Sequence, residues 1–194
     1  MKANCSAIIL AAGISKRMGK PKLMLQLDNN TTFLENIANK YKEFGCSKII
    51  IVLNNEGIDL VKHLNIKLAS QTILVLNNHL ELGRFYSIYL GAEQVSSDYV
   101  FIQNIDNPHA QFEVLSQLYK NKVSNGYVIP VRKGRGGHPV LISRKIINNI
   151  LDENKFDHNF KKYLKQFSKN EVEIIEDSIL LNINTPTDYK AFLG

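Results

Sequence analysis

Residues 7–22 read Ala-Ile-Ile-Leu-Ala-Ala-Gly-Ile-Ser-Lys-Arg-Met-Gly-Lys-Pro-Lys. The run Ala7–Leu10 is apolar without a break and short, the signature of a strand buried on both faces. A long polar loop follows at once. In open α/β sheets the loops leaving the C-terminal ends of strands form the ligand crevice. Ala11, Ala12 and Gly13 are small enough to let a ligand approach the backbone, whose N–H groups suit phosphate oxygens. Ser15 adds a hydroxyl, and Arg17, Lys20 and Lys22 add cationic donors. Two common phosphate motifs are excluded. A Walker A loop carries Ser or Thr directly after its Lys, whereas Pro21 follows Lys20 and five residues separate Gly13 from Gly19. The dinucleotide motif GxGxxG is absent as well. From spacing alone, a phosphate grip and a basic surface loop both fit.

Outward from this stretch the chain alternates apolar strands with amphipathic helices. Lys48–Leu53, Gln71–Leu76 and Tyr99–Ile105 are the next expected strands. Thr32 and Glu35 have capping-box spacing and open a helix carrying Phe33, Leu34, Ile37, Tyr41 and Phe44 on one side, stopped by Gly45. Further helices are expected at Phe85–Gln94 and Phe112–Lys120. After Gly126 the pattern is less regular, with strands expected at Tyr127–Val131, Pro139–Ile142, Val172–Ile175 and Ile179–Ile183, and helices at Arg144–Leu151 and Phe160–Phe167. Thr185, Pro186 and Asp188 supply an N-cap, an N1 proline and an N3 acid for a last helix. The fold class is therefore α/β: a single Rossmann-like domain over residues 1–194, with a mainly parallel central sheet and helices on both faces.

The 194 residues are 44% hydrophobic and 22% charged, which supports a globular core. Lys plus Arg exceed Asp plus Glu by 24 to 18, for a formal charge of +6. A polyanion-attracting cleft and a solvated Lys-rich surface both account for this balance. The basic residues are spread along the chain with no long Lys/Arg run, which argues against nucleic acid as a partner. Cys5 and Cys46 are the two cysteines. Without a CxxC or a Cys/His cluster they read as buried, reduced thiols, not as a disulfide framework or zinc site. The short apolar run near the N-terminus is interrupted by glycine and charge, and no segment approaches the length of a membrane span. The expectation is a cytoplasmic protein without a membrane partner.

Three further clusters carry chemistry. Tyr99–Ile105 ends in Asp106-Asn107-Pro108, which puts a carboxylate at a strand end where a cation could meet phosphates; taken alone, such an Asp is more often a helix N-cap or turn residue. Asn77 and Gly83-Arg84-Phe85-Tyr86-Ser87 sit at a loop-to-helix junction. Lys133 to Val140 form a glycine-rich basic loop containing Gly137 and His138, suited either to clasping an anion or to a plain hairpin.

The stretch LAAGISKRMGKPK resembles the LAAGxSxRMGxPK signature of the nucleotidyltransferase superfamily, in particular its molybdopterin cytidylyl- and guanylyltransferase branch. That resemblance implies that Leu10, Ala11, Ala12, Gly13 and Ser15 hold the nucleotide, with Arg17 over the triphosphate and Lys22 at the α-phosphate. It implies Mg²⁺ on Asp106, with Asn184 at the second metal position. There the family has Asp-Ile-Asp-Thr-Pro and this chain has Asn182-Ile183-Asn184-Thr185-Pro186, which retains oxygen ligands and loses charge. Asn77, Gly83, Arg84 and Ser87 join the nucleotide-binding set, and the GRxxS arrangement resembles the cytidylyl branches, where the glycine and serine contact the pyrimidine, favouring CTP over GTP. Gly137 and His138 fall on the acceptor side. The catalytic set implied is Arg17, Lys22 and Asp106, with residues 1–110 as the nucleotide half and 111–194 as the acceptor half. The family's Gly-Asp-x-Gly-x-Arg segment is replaced by Asp157-His158-Asn159-Phe160-Lys161. Molybdopterin is thus the leading acceptor, with a sugar phosphate, alditol phosphate or phosphonate open. A transient partner that receives the product is implied, and a non-catalytic nucleotide sensor is the alternative of another class.

Overall fold

The structure, a computed structural model, describes residues 3–28, 30–64 and 66–194. In chain order the first half contains β1 (Cys5–Leu10), β2 (Gln26–Asp28), β3 (Thr31–Thr32), α1 (Phe33–Phe44), β4 (Ile49–Leu53), α2 (Asn55–His63), β5 (Thr72–Leu76), α3 (Gly83–Ala92) and β6 (Tyr99–Asn104). The second half contains α4 (Phe112–Lys120), β7 (Gly126–Arg132), β8 (Arg135–Gly136), β9 (Val140–Ser143), α5 (Arg144–Leu151), α6 (Phe160–Tyr163), β10 (Ser168–Glu173) and α7 (Pro186–Leu193).

The main sheet has the order β10-β7-β9-β6-β1-β4-β5, with β8 added beside β7. β1 lies between β4 and β6, parallel to both, and Leu10 is in register with Val52 and Asn104. Only β9 and β8 run against the rest, β9 being antiparallel to both β6 and β7. The central strands read as continuous apolar runs because each face of the sheet is covered. Ala7 and Ile9 of β1, with Ile49 and Ile51 of β4, join the core under α1 and α4; Ile8, Ile50 and Val52 join the core under α3 and α5. Each such Ile or Val side chain, wholly removed from water, contributes roughly 1.5–3 kcal/mol of transfer free energy. The expected mainly parallel α/β sheet with helices on both faces is what the chain forms. Among the described residues no helix is long and apolar enough to cross a membrane. Cys5 and Cys46 are free and buried, their Sγ atoms 3.4 Å apart.

The ends of α1 follow the expected chemistry. Thr32 Oγ1 accepts from the Glu35 N–H, the Glu35 carboxylate accepts from the Thr32 N–H, and Gly45 caps the other end at φ +93°. A second capping box, Thr185 with Asp188, opens α7. The Tyr189 hydroxyl of α7 then donates to the Gln26 carbonyl and accepts from the Gln26 N–H, tying the C-terminal helix to the β2–β3 hairpin. That tie brings residue 184 beside residue 22.

Several expected boundaries differ. α2 has no counterpart among the expected elements: it buries only Gly57 and Val61, so its apolar face is too narrow to show in the pattern, and Asn54 caps it by accepting from the Gly57 N–H. The expected strand Val172–Ile175 begins earlier, as β10, where alternate residues of an edge strand face water. The expected strand Ile179–Ile183 does not form. A 3-10 turn spans Asp177–Leu180, and the backbone groups around it pair with loops instead of a strand. Ile179 O accepts from His138 N–H, Ile183 N–H donates to Asp106 O, and the Asn107 amide donates to the carbonyls of Ser178 and Leu181. The expected helix Phe160–Phe167 is a short α6 followed by a 3-10 turn.

Candidate active site

A cleft of about 570 Å³ opens at the C-terminal ends of β1, β5 and β6. Its lining includes Leu10, Ala12, Gly13, Ser15, Arg17 and Lys22 from the loop after β1, Asn77, Gly83, Arg84 and Ser87 around the start of α3, and Asp106 and Asn184. Stretches separated by up to about 170 positions in sequence thus meet in one concavity.

The loop after β1 is folded, not loose. Met18, Leu23 and Leu25 are buried and hold it against α1. Ser15 adopts φ +54°, in the left-handed region that a non-glycine residue occupies at a cost of about 1–3 kcal/mol. In that conformation the Ser15 carbonyl accepts from the N–H groups of Met18 and Gly19, and its Oγ accepts from the Lys22 N–H at 3.3 Å. The strain therefore closes the turn that delivers Lys22. Ala11 does not line the cleft: its side chain packs in the core on the α1 face and its N–H donates to Val52 O.

Lys22 is the centre of the site. Its Nζ donates to Asn184 Oδ1 at 2.7 Å and lies 3.7 Å from Asp106 Oδ2. Arg17 reaches the same Asn184 oxygen at 3.4 Å. Burial pushes the Lys22 ammonium below its ordinary pKa, and the adjacent Arg17 adds to this, while Asp106 opposes it. Asp106 Oδ1 is buried and, among the described residues, without a hydrogen-bond partner. Asp106 and Asn184 thus converge as oxygen donors on one cationic group, an arrangement that fits a hard divalent cation. Among the described residues no cluster of three or more His, Cys, Asp or Glu exists, so Asp106 and Asn184 are the oxygen donors the chain brings to this point.

On the other side of the cleft Asn77 is buried, its Oδ1 accepting from the His79 N–H and its Nδ2 donating to Ser87 Oγ at 2.9 Å. Gly83 takes φ +76° where the chain enters α3, and no side-chain cap covers the first N–H groups of that helix. Gly137 and His138 do not line the cleft. They lie behind it: Gly137 has no room for a Cβ, which would fall 2.4 Å from Ile179 O, and Asn104 Nδ2 donates to His138 Nε2 at 3.0 Å. Burial, and secondarily the charge of Arg84, lowers the His138 pKa to about 4, so the imidazole is neutral at pH 7.

The cleft also contains residues that the motif did not single out: Ile14, Lys16, Leu80, Asn104 and Ile105. Lys16 was legible as a further cation within the loop. Asn104 had a weaker signal, its position two residues before Asp106 at the same strand end. Lys20, by contrast, sits over the Tyr189 ring at 5.1 Å outside this lining.

Three comparisons bear on this geometry. The family model described as MobA-like NTP transferase domain matches residues 7–172. The molybdenum cofactor cytidylyltransferase of Escherichia coli K12 is 28% identical over 182 residues, covering 94% of this chain and 92% of that protein. A probable molybdenum cofactor guanylyltransferase of Natranaerobius thermophilus is 29% identical over 204 residues, covering 97% and 94%. In fold, the crystal structure of Mycobacterium tuberculosis Rv0371C in complex with manganese superposes with a TM-score of 0.74 at 17% identity, covering 97% of each chain.

Proposed function

This chain belongs to the MobA-like NTP transferase domain family, and on that premise we propose that it transfers CMP from CTP to molybdopterin and releases pyrophosphate. The observation that carries the reading is the convergence of Lys22, Arg17, Asp106 and Asn184 at the mouth of the loop after β1. An oxygen of the acceptor's phosphate attacks the α-phosphorus, and the bond from that phosphorus to the oxygen bridging to the β-phosphate breaks. The nucleophile is already ionised at neutral pH, so no general base is required. Arg17 and Lys22 hold the triphosphate and offset charge on the departing pyrophosphate. Asp106 and Asn184 would hold Mg²⁺, which supplies neutralisation of phosphate charge when bound. Leu10, Ala12, Gly13 and Ser15 line the nucleotide's path, and Asn77, Gly83 and Ser87 face the base. Ala11 contributes by keeping the loop's root fixed to β4. Gly137 and His138 act from behind the cleft by fixing Asn104.

Residues 1–110 are read as the nucleotide half and 111–194 as the acceptor half of a single domain working in the cytoplasm. The product passes to a partner protein. The preference for CTP draws on the Asn77–Ser87 pair and on the cytidylyltransferase relative; the guanylyltransferase relative makes GTP the direct competitor. A screen of four nucleoside triphosphates with Mg²⁺ against molybdopterin and a panel of sugar, alditol and simple phosphate esters tests the proposal. Pyrophosphate release with CTP and molybdopterin is the expected result. Release with GTP alone reassigns the base, release with another ester reassigns the acceptor, and nucleotide binding without release under any pairing returns the sensor reading.

A further inference from the structure

The cleft carries cations on two opposite banks. Arg17 and Lys22 belong to the loop anchored by Met18, Leu23 and Leu25, whose core lies on the α1 face of the sheet. Arg84 stands on the first turn of α3, whose Phe85 and Ile88 belong to the core on the other face. The strand ends bearing Leu10, Asn104 and Asp106 run between the two banks. Among the described residues Arg17 and Lys22 both bond to Asn184, whereas no hydrogen bond or ion pair engages the Arg84 guanidinium. What holds Arg84 is stacking: its guanidinium lies 5.8 Å over the ring of Phe160 in α6. Phe160 falls in the Asp157–Lys161 segment, where the acceptor's recognition was expected to diverge.

From this placement we infer that Arg84 seats the phosphate monoester of the incoming acceptor, with the Asn104 amide beside it, and does not hold the nucleotide. The inference rests on the transferase reading and names which bank serves which anion. A reaction between a triphosphate and a phosphate must hold two anions on either side of one reacting phosphorus, and separate cationic banks meet that need. A guanidinium braced on an aromatic face keeps its donor edge free for two phosphate oxygens. Asn104 is fixed in turn by His138, whose backbone N–H is tied to Ile179 O and whose ring is neutral at pH 7. His138 is therefore a positioning residue for Asn104.

The test uses the full chain and two ligands measured separately by calorimetry. The affinity for α,β-methylene-CTP with Mg²⁺ is measured first, and phenyl phosphate is then titrated into that complex. Arg84 is exposed at the cleft, so Arg84→Gln leaves the core untouched, and circular dichroism checks the fold. The expected result is a loss of about tenfold or more in phenyl phosphate affinity, with analogue affinity within about twofold of the parent. Arg84→Lys retains charge but not the two-pronged contact and falls between. Phe160→Leu, which removes the aromatic brace and trims the packing against Phe85, weakens phenyl phosphate by a smaller factor, with circular dichroism again checking the fold. Undiminished phenyl phosphate binding by Arg84→Gln, a tenfold loss of the nucleotide analogue, or no binding of phenyl phosphate to the parent complex would each overturn the inference. Pyrophosphate release from CTP with molybdopterin is a separate readout. Its absence while phenyl phosphate still depends on Arg84 removes the proposed acceptor and leaves the seat standing.

Discussion

Replacing Lys22 with Met tests whether this residue serves the reaction at the expense of the fold. Met fills the same volume with a flexible apolar chain and deletes the charge. Two opposing contributions act on the ammonium. At an effective dielectric near 20, a charge pair about 4 Å apart is worth about 4 kcal/mol, and the Asp106 carboxylate lies at 3.7 Å. Against this stand desolvation of a side chain only 12% exposed and repulsion from Arg17. Because the Lys22 pKa is lowered on balance, the unfavourable side wins, and the charged form is less comfortable folded than unfolded. For a lysine with a depressed folded pKa, that penalty is complete below the folded value and fades as pH rises toward 10.5. Lys22→Met should therefore leave Tm unchanged or raise it by a few degrees at pH 7. Its pyrophosphate release should fall by about a hundredfold to a thousandfold, the usual result of removing one preorganised donor from developing charge. Thermal melts at pH 7 and pH 9.5 alongside the pyrophosphate assay check both halves. Near-normal turnover would remove Lys22 from the reaction, and a Tm lowered by several degrees would make it a structural residue.

Asp106→Asn keeps the shape of the site and removes the one acidic side chain lining it among the described residues; turnover should drop by at least about a hundredfold with an unchanged far-ultraviolet spectrum. His138 is held down to about pH 4 by burial and by Arg84, while the unfolded chain takes up this proton near 6.5. Stability should therefore be lost as pH falls between those two values, by at most about 3 kcal/mol from this residue. In urea titrations at pH 7 and pH 4.5, His138→Gln should show less of that loss than the parent, and equal losses would refute the assignment. Gly91→Ala places a methyl 2.7 Å from Ile8 Cγ2 at the contact between α3 and β1. It should cost about 1–3 kcal/mol, seen as a lower denaturation midpoint, and trimming the neighbour with Ile8→Val should restore part of it.

The residues deep in the sheet were legible because their burial is nearly total. Ile8, Ile9, Ile50 and Ile51 have no solvated face, so apolar runs mark β1 and β4 without ambiguity. Thr32–Glu35 and Thr185–Asp188 were legible because capping is a local hydrogen-bond pattern with fixed spacing. The loop after β1 was equally plain as a short run of small and cationic residues. The region from residue 168 onward was not. β10 is an edge strand whose exposed residues hide its period, and the backbone of residues 179–183 is satisfied by Asn107 and His138 from distant loops. Those partners have no sequence spacing from which to read them.

By itself, then, the order of amino acids determined the layered α/β class, the helix ends and the presence of a basic loop of small residues after the first strand, because these depend on contacts a few residues apart or on burial that repeats with a period. The folded chain decided the rest. Docking of Tyr189 on Gln26 brings Asn184 onto Lys22, the turn at Ile179 sets His138 behind Asn104, and Phe160 lies beneath Arg84 on the face opposite the loop. Each of these joins residues far apart in the chain, and such pairs are selected by how the elements pack, a choice that the local sequence leaves open.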